Sequence, residues 1–452
     1  MVNGEWKSDF PLARFTIHDS PFTMKLPAYL LITHAAQLLT IAGNNGHPRR
    51  GAGLADLGLV ADGAVAVADG VIIAAGSTAE VLDEVSASAG TTTIDARGTV
   101  VVPGFVDPHT HLVFAGSRAD EFEMRLAGAT YQEIAARGGG ILSTMRATRA
   151  ASEDDLLALG NLRLNRMLIH GTTTVEAKSG YGLSVEAELK SLRVVHRLSA
   201  LHDADLVPTF LGAHAVPPEF AGDPDGYVRL IIDEMIPAVV EEDLAEFCDV
   251  FCDVGAFTHD QSRNVLLAGH EAGLDLKMHA DELSDQGGAR LASELEAVSA
   301  DHLLRASDEG LRAMAESGTL AVLLPATALF LGLPYAPARR IIDLQVPVAI
   351  GTDFNPGTSP TYSVPMVIAL SSLGMKMTPA EAVVAATINA AHAVGMAEEV
   401  GSLEPGKAAD IVILEVDDYR QIAMTFGVNP VSTVIKRGRI VVDRGRLVAE
   451  KQ

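Results

Sequence analysis

Two histidines separated by one residue end an apolar stretch near residue 100. His109 and His111 close residues 103–111, PGFVDPHTH. On an extended strand, side chains at positions i and i+2 project from the same face, so both imidazoles would point to one place. Such a pair at the carboxyl end of a strand can bind a divalent ion and leave coordination positions for water and substrate, as hydrolysis requires. A single His-x-His is common by chance, so other parts of the chain must supply further ligands.

Eight apolar, strand-like runs between residues 101 and 353 alternate with helical patterns. They cover residues 101–111, 172–178, 206–214, 247–253, 274–282, 297–302, 320–325 and 346–353. Alternating βα units predict a parallel sheet, and eight strands close a barrel. Because the carboxyl ends of all eight strands meet at one face, residues that are distant in sequence become neighbours there. The polar residues at or near these ends are His109, His111, Glu176, Lys178, His214, His279, Asp281, Glu282, Asp301, His302 and Asp353.

Four of these residues make a metal-binding set. His109, His111, His279 and Asp353 offer three nitrogens and one oxygen, a set that suits one zinc or iron ion. The alternatives are a core histidine for His279 and a helix N-cap for Asp353, and the joint placement of the four favours ligands. A carbamylated Lys178 could bridge two metals, but its place on the second run favours one metal, and a substrate or structural ion pair suits the lysine better.

Two further residues have the chemistry of proton transfer. Glu282 lies three residues past His279, where it could take a proton from a metal-bound water and later give it to a leaving nitrogen. The alternative is a solvated loop carboxylate. His302 would stabilise a developing oxyanion or hold the water, or else support a metal ligand.

The two ends of the chain share a different pattern, in which short apolar runs are broken by Gly and Asp. It fills residues 27–102 and returns over 402–452, which predicts one β-sandwich domain built from both ends. The predicted fold is therefore α/β, a (β/α)8 TIM-like barrel over residues 103–401 with a small β domain. Residues 1–26 are assigned to an N-terminal extension, and the apolar residues 29–42 to a strand, a turn and a second strand rather than a signal peptide.

Composition restricts the class of partner. The formal net charge of −24 over 452 residues repels nucleic acid and acidic membrane surfaces, so a small-molecule substrate fits best and an anionic one needs local Arg or Lys. Cys248 and Cys252 lie four apart in a strand-like run, about 13 Å between Cα atoms and too far for a disulfide. Buried thiols and the lack of an apolar run of ~18 residues predict a cytoplasmic protein.

With these positions in view, the chain resembles the amidohydrolase superfamily and, within it, the imidazolonepropionase family, over residues 27–447. The broad motifs are residues 109–111, HTH, and 401–410, GSLEPGKAAD. The narrower ones are VFAGSR at 113–118, KSGYG at 178–182, LGAH at 211–214, HADEL at 279–283, SADH at 299–302 and TDFNPG at 352–357. Two departures are the long extension and Ala326, where the family pattern has Gly near the mouth of the site.

The resemblance implies a function and assigns roles to residues. It implies a hydrolase of histidine degradation that opens 4-imidazolone-5-propanoate to N-formimidoyl-L-glutamate with a metal-bound hydroxide activated by Glu282. One Zn²⁺ or Fe ion per chain would be held by His109, His111, His279 and Asp353. The implied catalytic residues are Glu282, His302 and Asp353, and the implied substrate contacts are Arg118, Tyr181, His214, Glu282, Asn355, Gly357 and Thr358.

Other interpretations remain open at the level of the sequence. The same metal set serves other cyclic amidohydrolases and aminohydrolases that act on heterocycles, and only the pocket residues discriminate among them. A catalytically silent metal-binding or scaffold protein is the alternative from another class. The resemblance also allows a homodimer, and it implies neither a nucleic-acid nor a membrane partner.

Overall fold

The structure is a computed structural model of the 452-residue chain, and it describes residues 25–43, 46–129, 133 and 137–449. Of the predicted extension 1–26, only Lys25 and Leu26 lie within the described residues. The first strand of the described residues, β1 (Leu26–Pro27), pairs in parallel with β5 (Val85–Ser86). No helix of the described residues is long and apolar enough to cross a membrane.

Eight parallel strands form the predicted barrel, and each pairs with its neighbour in chain order. The first and last strands approach each other through a parallel bridge between Thr110 and Phe354, where the His111 amide donates to the Phe354 carbonyl over 2.9 Å. This nearly closed barrel confirms the predicted fold class. The strands are β8 (Phe105–Asp107), β9 (Thr172–Lys178), β10 (Asp205–Ala213), β11 (Phe247–Cys252), β12 (Asp275–Ala280), β13 (Ser299–His302), β14 (Leu320–Leu323) and β15 (Val348–Ile350).

Both ends of the chain contribute to one nine-stranded sheet, as predicted, in the order β19-β18-β17-β16-β7-β2-β3-β4 with β6 beside β2. The strand β16 pairs antiparallel with β7, so the end of the chain lies beside the strand that leads into the barrel. The sheet has a buried apolar cluster of its own, separate from the barrel core. Its strands are β2 (Leu30–Leu39), β3 (Leu59–Ala68), β4 (Val71–Ser77), β6 (Thr92–Asp95), β7 (Val100–Pro103), β16 (Ile411–Leu414), β17 (Val431–Lys436), β18 (Arg439–Asp443) and β19 (Arg446–Leu447). The domain limits 27–102, 103–401 and 402–452 stay predictions.

Two predicted elements differ in the structure. The run 101–111 is not one strand, because β7 ends at Pro103 in the β domain and β8 begins at Phe105 in the barrel. Gly104 makes this change of sheet at a close approach, since a Cβ there would lie 2.2 Å from the Thr173 Oγ1. Residues 29–42 contain one long strand, β2, whose bulge between Ile32 and Ala35 takes the place of the predicted turn.

Helices connect the strands, and two of them begin at capping boxes visible in the sequence. Ser152 with Asp155 and Thr378 with Glu381 form capping boxes at two helix starts. The helices are Thr78–Glu84, Ala119–Leu126, Ile141–Ala150, Glu153–Ile169, Val185–Leu201, Pro224–Leu230, Ile236–Glu241, His259–Glu271, Gly288–Glu294, Asp308–Ser317, Pro325–Leu331, Ala338–Asp343, Val364–Leu373, Pro379–Ala385, Ile388–Ala393 and Arg420–Met424. Short 3₁₀ turns cover Gly51–Ala55 and Pro218–Phe220, and a π turn covers Ile231–Met235.

Candidate metal and catalytic site

The carboxyl ends of the barrel strands bring the four predicted metal ligands together. The Nε2 atoms of His109 and His111 each lie 3.5 Å from the Asp353 Oδ1. The His279 Nε2 lies 3.5 Å from the His111 Nε2, and all four side chains are buried. His109 and His111 lie after β8 rather than on it, so the loop beyond the strand, and not strand alternation, aims the two rings at one point.

These distances fit a bound cation. A tetrahedral ion with bonds of about 2.1 Å holds its ligand atoms about 3.4 Å apart, close to the separations observed here. The His109 Nε2 is buried without a hydrogen-bond partner among the described residues, which leaves its lone pair for such an ion. Two overlapping triplets lie close enough to share an ion: His109 with His111 and Asp353, and His109 with His279 and His302. The structure therefore adds His302 as a competing ligand.

Two of the three proposed ligand histidines, His109 and His111, are held in the neutral form that a metal needs. Burial lowers the pKa of His109 and His111 well below the usual value, and neighbouring positive charges lower it further. Burial also acts to lower the pKa of His279, but the Asp249 carboxylate beside it raises that pKa overall. The charge of Asp249 thus favours a proton on the Nδ1 of His279, which faces it at 3.1 Å.

Glu282 is buried beside His302, which rules out the solvated loop carboxylate considered for it. Its Oε1 lies 3.7 Å from the His302 Nδ1. Asp253 holds the loop at this point, because it accepts hydrogen bonds from the Leu283 amide and the Ser284 hydroxyl. Burial raises the pKa of Glu282 to about 7 and lowers that of His302 to about 4, so at neutral pH the carboxyl can both take and release a proton.

Arg118 lies against the turn that follows β15. Its Nε donates to the Thr144 Oγ1 over 2.9 Å, whereas its Nη2 is buried without a hydrogen-bond partner among the described residues. A Cβ at Gly357 would lie 2.2 Å from the Arg118 Nη1, so glycine leaves the room that the guanidinium occupies. A buried donor without an acceptor costs about 1–3 kcal/mol or more, which a carboxylate ligand would offset.

Asn355 shapes the same turn from within. Its Nδ2 donates to the Asp353 carbonyl and the Thr358 hydroxyl, and its Oδ1 accepts from the Gly357 and Thr358 amides. Both amide hydrogens of Asn355 are therefore engaged inside the turn. The substrate contacts predicted for Asn355, Gly357 and Thr358 stay predictions. In the structure, the hydrogen bonds of Asn355 stabilise the loop that follows Asp353.

Tyr181 and His214 flank His111 on the other side. The His214 ring stacks on that of His111 with centroids 5.0 Å apart, and its Nδ1 lies 2.9 Å from the Gly180 carbonyl. The Tyr181 ring lies 5.4 Å from that of His214. These aromatic side chains form one wall beside the predicted ligands, as expected of substrate contacts, and that role stays a prediction.

Several residues that support the site were assigned no role from the sequence. Glu188 accepts hydrogen bonds from three amides of the loop that carries Tyr181, and Thr327 donates to the Asp353 Oδ2. Ala326 is buried beside Thr327 on the helix Pro325–Leu331, so the departure from the family pattern leaves this hydrogen bond intact. Two further carboxylates, Asp249 and Asp301, each contact a ligand histidine from below. Of these two, only Asp301 was noted in the sequence, because it lies at the end of an apolar run.

Comparison with known proteins finds one family over most of the chain. Residues 100–441 match the model of the Amidohydrolase family. The chain is 56% identical over 419 residues to an imidazolonepropionase of Geobacillus kaustophilus (strain HTA426), covering 92% of this chain and 99% of that protein. It is 53% identical over 423 residues to the imidazolonepropionase of Symbiobacterium thermophilum, covering 93% of this chain and 99% of that protein.

Solved structures with much lower identity share the fold. An adenosine deaminase from Xanthomonas campestris with bound zinc has a TM-score of 0.70 at 19% identity, covering 95% of this chain and 96% of that one. The E. coli guanine deaminase has a TM-score of 0.68 at 16% identity, covering 92% and 99%. At these identities the likeness supports the barrel architecture alone.

Proposed function

The chain belongs to the amidohydrolase family and, within it, to the imidazolonepropionases, and on that premise we propose that it opens the ring of 4-imidazolone-5-propanoate to give N-formimidoyl-L-glutamate. The observation that carries this choice of substrate is the buried, unpartnered Nη2 of Arg118. A guanidinium can hold a carboxylate in a bidentate pair, and the acidic chain needs such a group to attract an anion. A neutral ring substrate would leave this buried donor without a carboxylate to pair with.

We assign His109, His111, His279 and Asp353 to one Zn²⁺ or Fe ion per chain, since three nitrogens and one oxygen suit either metal. When bound, the ion would supply Lewis acidity and make water a nucleophile at neutral pH. Glu282 accepts a proton from the attacking water as the C–O bond forms at the ring carbonyl carbon. It then gives that proton to the ring nitrogen as the C–N bond breaks, and neutral His302 donates a hydrogen bond to the developing oxyanion.

The test of the substrate is Arg118→Met, measured against two ring compounds. We expect the KM for 4-imidazolone-5-propanoate to rise about 10-fold to 150-fold, because a hydrogen bond to a charged group contributes about 1.5–3 kcal/mol. We expect kcat to change little, because the guanidinium binds the propionate rather than the reacting carbonyl. The KM for an imidazolone without the propionate should not change.

Arg125→Met is the matched control, because Arg125 lies on the helix that begins directly after Arg118 and its guanidinium stacks on the Phe330 ring. Its KM should equal that of the parent. If the parent opened only neutral rings, the proposed substrate would be wrong. Bound metal without turnover of either ring would instead favour a silent metal-binding protein. The cytoplasmic location and a homodimer stay predictions.

A further inference from the structure

A layer of charged side chains fills the barrel directly beneath the four proposed metal ligands. Five residues of the strands β9, β11, β12 and β13 form it, and none of them is exposed: Glu176, Lys178, Asp249, Lys277 and Asp301. Barrel interiors are usually packed with branched apolar residues. A buried ion pair is often no more stabilising than an apolar replacement of the same volume. The layer is therefore poorly explained by stability alone.

Two carboxylates of this layer each contact one ligand histidine. The Asp301 Oδ2 lies 2.5 Å from the His109 Nδ1, and the Asp249 Oδ2 lies 3.1 Å from the His279 Nδ1. A proton on each Nδ1 leaves the Nε2 lone pair facing the proposed ion. The two carboxylates therefore fix the tautomer and the ring orientation of two neighbouring ligands, whose ring centroids lie 4.5 Å apart.

One ammonium group faces both of these carboxylates. The Lys178 Nζ lies 2.7 Å from the Asp249 Oδ2 and 3.8 Å from the Asp301 Oδ2. It also lies 2.8 Å from the Glu176 Oε1. Movement of this ammonium would therefore shift the positions of both carboxylates at once. Through them it would change the ring orientations of both histidines.

We infer that Lys178 is a positioning residue of the metal centre, which it orders by holding Asp249 and Asp301 against His279 and His109. The inference rests on the metal centre proposed above. This role differs from a general stabilisation by buried charge. A stabilising role needs only a lysine somewhere in the layer, whereas the inferred role needs a lysine that reaches these two carboxylates.

Lys277 is the matched control for that distinction. It is as buried as Lys178 and contacts the same Glu176 Oε1, at 3.0 Å. Its other hydrogen bonds go to the carbonyls of Pro108 and Ala393. Among the described residues, its only ion pair is with Glu176, so it lacks the contacts to Asp249 and Asp301.

The experiment compares Lys178→Met with Lys277→Met, since methionine keeps most of the side-chain volume and removes the charge. Zn²⁺ affinity is measured by competition with a chromophoric chelator. The other measurements are the Tm of the metal-free protein, the visible spectrum of the Co²⁺-substituted protein, and kcat and KM. We expect both variants to have a lower Tm than the parent, because each removes a buried cation beside Glu176. Only Lys178→Met should weaken Zn²⁺ binding, by about 10-fold to 100-fold, with an altered Co²⁺ spectrum and a lower kcat at nearly parental KM.

Equal Zn²⁺ affinity in the two variants would overturn the inference and leave Lys178 a structural ion pair. Failure of the parent to bind about one metal ion per chain would instead overturn the proposed function, so the two failures are distinguishable. If Lys178→Met does not fold, Asp249→Asn makes the same test, because asparagine keeps the volume and an acceptor for His279 but loses the charge that the ammonium holds. Parental Zn²⁺ affinity in Asp249→Asn would also overturn the inference.

Discussion

Replacing Glu282 with glutamine is expected to lower kcat by about 10²-fold to 10⁴-fold, the range in which a positioned acid or base contributes. Glutamine keeps the volume of the buried side chain beside His302 but cannot accept a proton from water. The variant should still bind about one metal ion per chain, because Glu282 is not among the four proposed ligands. The measurements are the metal content of purified protein and the loss of imidazolone absorbance with time.

The pH profile gives this prediction a second readout. The general base must be ionised, so kcat/KM of the parent should fall as the pH falls through the pKa of Glu282. Burial raises that pKa to about 7, and a bound cation would lower it again because positive charge favours the carboxylate. The acid limb should therefore lie at or below pH 7, and the residual activity of Glu282→Gln should lack it.

Asp285→Asn is the control on the same loop. Asp285 is exposed, and its carboxylate accepts a hydrogen bond from the Gly287 amide rather than facing His302. Its rate and its pH profile should match those of the parent within about twofold, because exposed substitutions away from a site have small effects. Parental activity in Glu282→Gln would remove Glu282 from the mechanism.

The sequence predicts the barrel and the cluster of ligands because both follow from one regularity. Apolar runs mark the strands, and the polar residues that end them must meet at the carboxyl face. His279 and Asp353 therefore come together with His109 although they lie far apart in the chain. The strand limits were less predictable, since the apolar run through Gly104 contains no signal that the chain passes from one sheet to another.

Only part of the layer beneath the site could be predicted in the same way, namely Glu176, Lys178 and Asp301, which lie at or near the ends of apolar runs. Asp249 lies within an apolar run, and strand alternation cannot tell a polar residue inside a barrel from one on its outer face. The contacts of Glu188 and Thr327 depend on loop paths that no short motif specifies. Arg118 came from family resemblance alone, and the structure adds a physical reason for it in the unpartnered Nη2.

The identity of the fourth ligand is tested by Asp353→Ala and His302→Ala together. Asp353 is the one anion of the proposed set, and its Oδ1 lies 3.5 Å from the Nε2 atoms of both His109 and His111. We expect Asp353→Ala to lose most of its metal and to lower turnover by at least about 10³-fold, because both ligation and charge balance are lost. His302→Ala should keep about one metal ion per chain and lose about 10²-fold to 10³-fold in kcat through weaker oxyanion stabilisation.

Thermal unfolding separates the two variants without reference to activity. A metal that binds only the folded chain stabilises it by about 4 kcal/mol when its free concentration is 1,000 times its Kd. Added Zn²⁺ should therefore raise the Tm of metal-free parent and of His302→Ala, and it should leave that of Asp353→Ala nearly unchanged. The opposite pattern, with metal lost in His302→Ala and kept in Asp353→Ala, would assign the ion to His109, His279 and His302. Asp353 would then act only on the substrate or the water, and the proposed ligand set would be wrong.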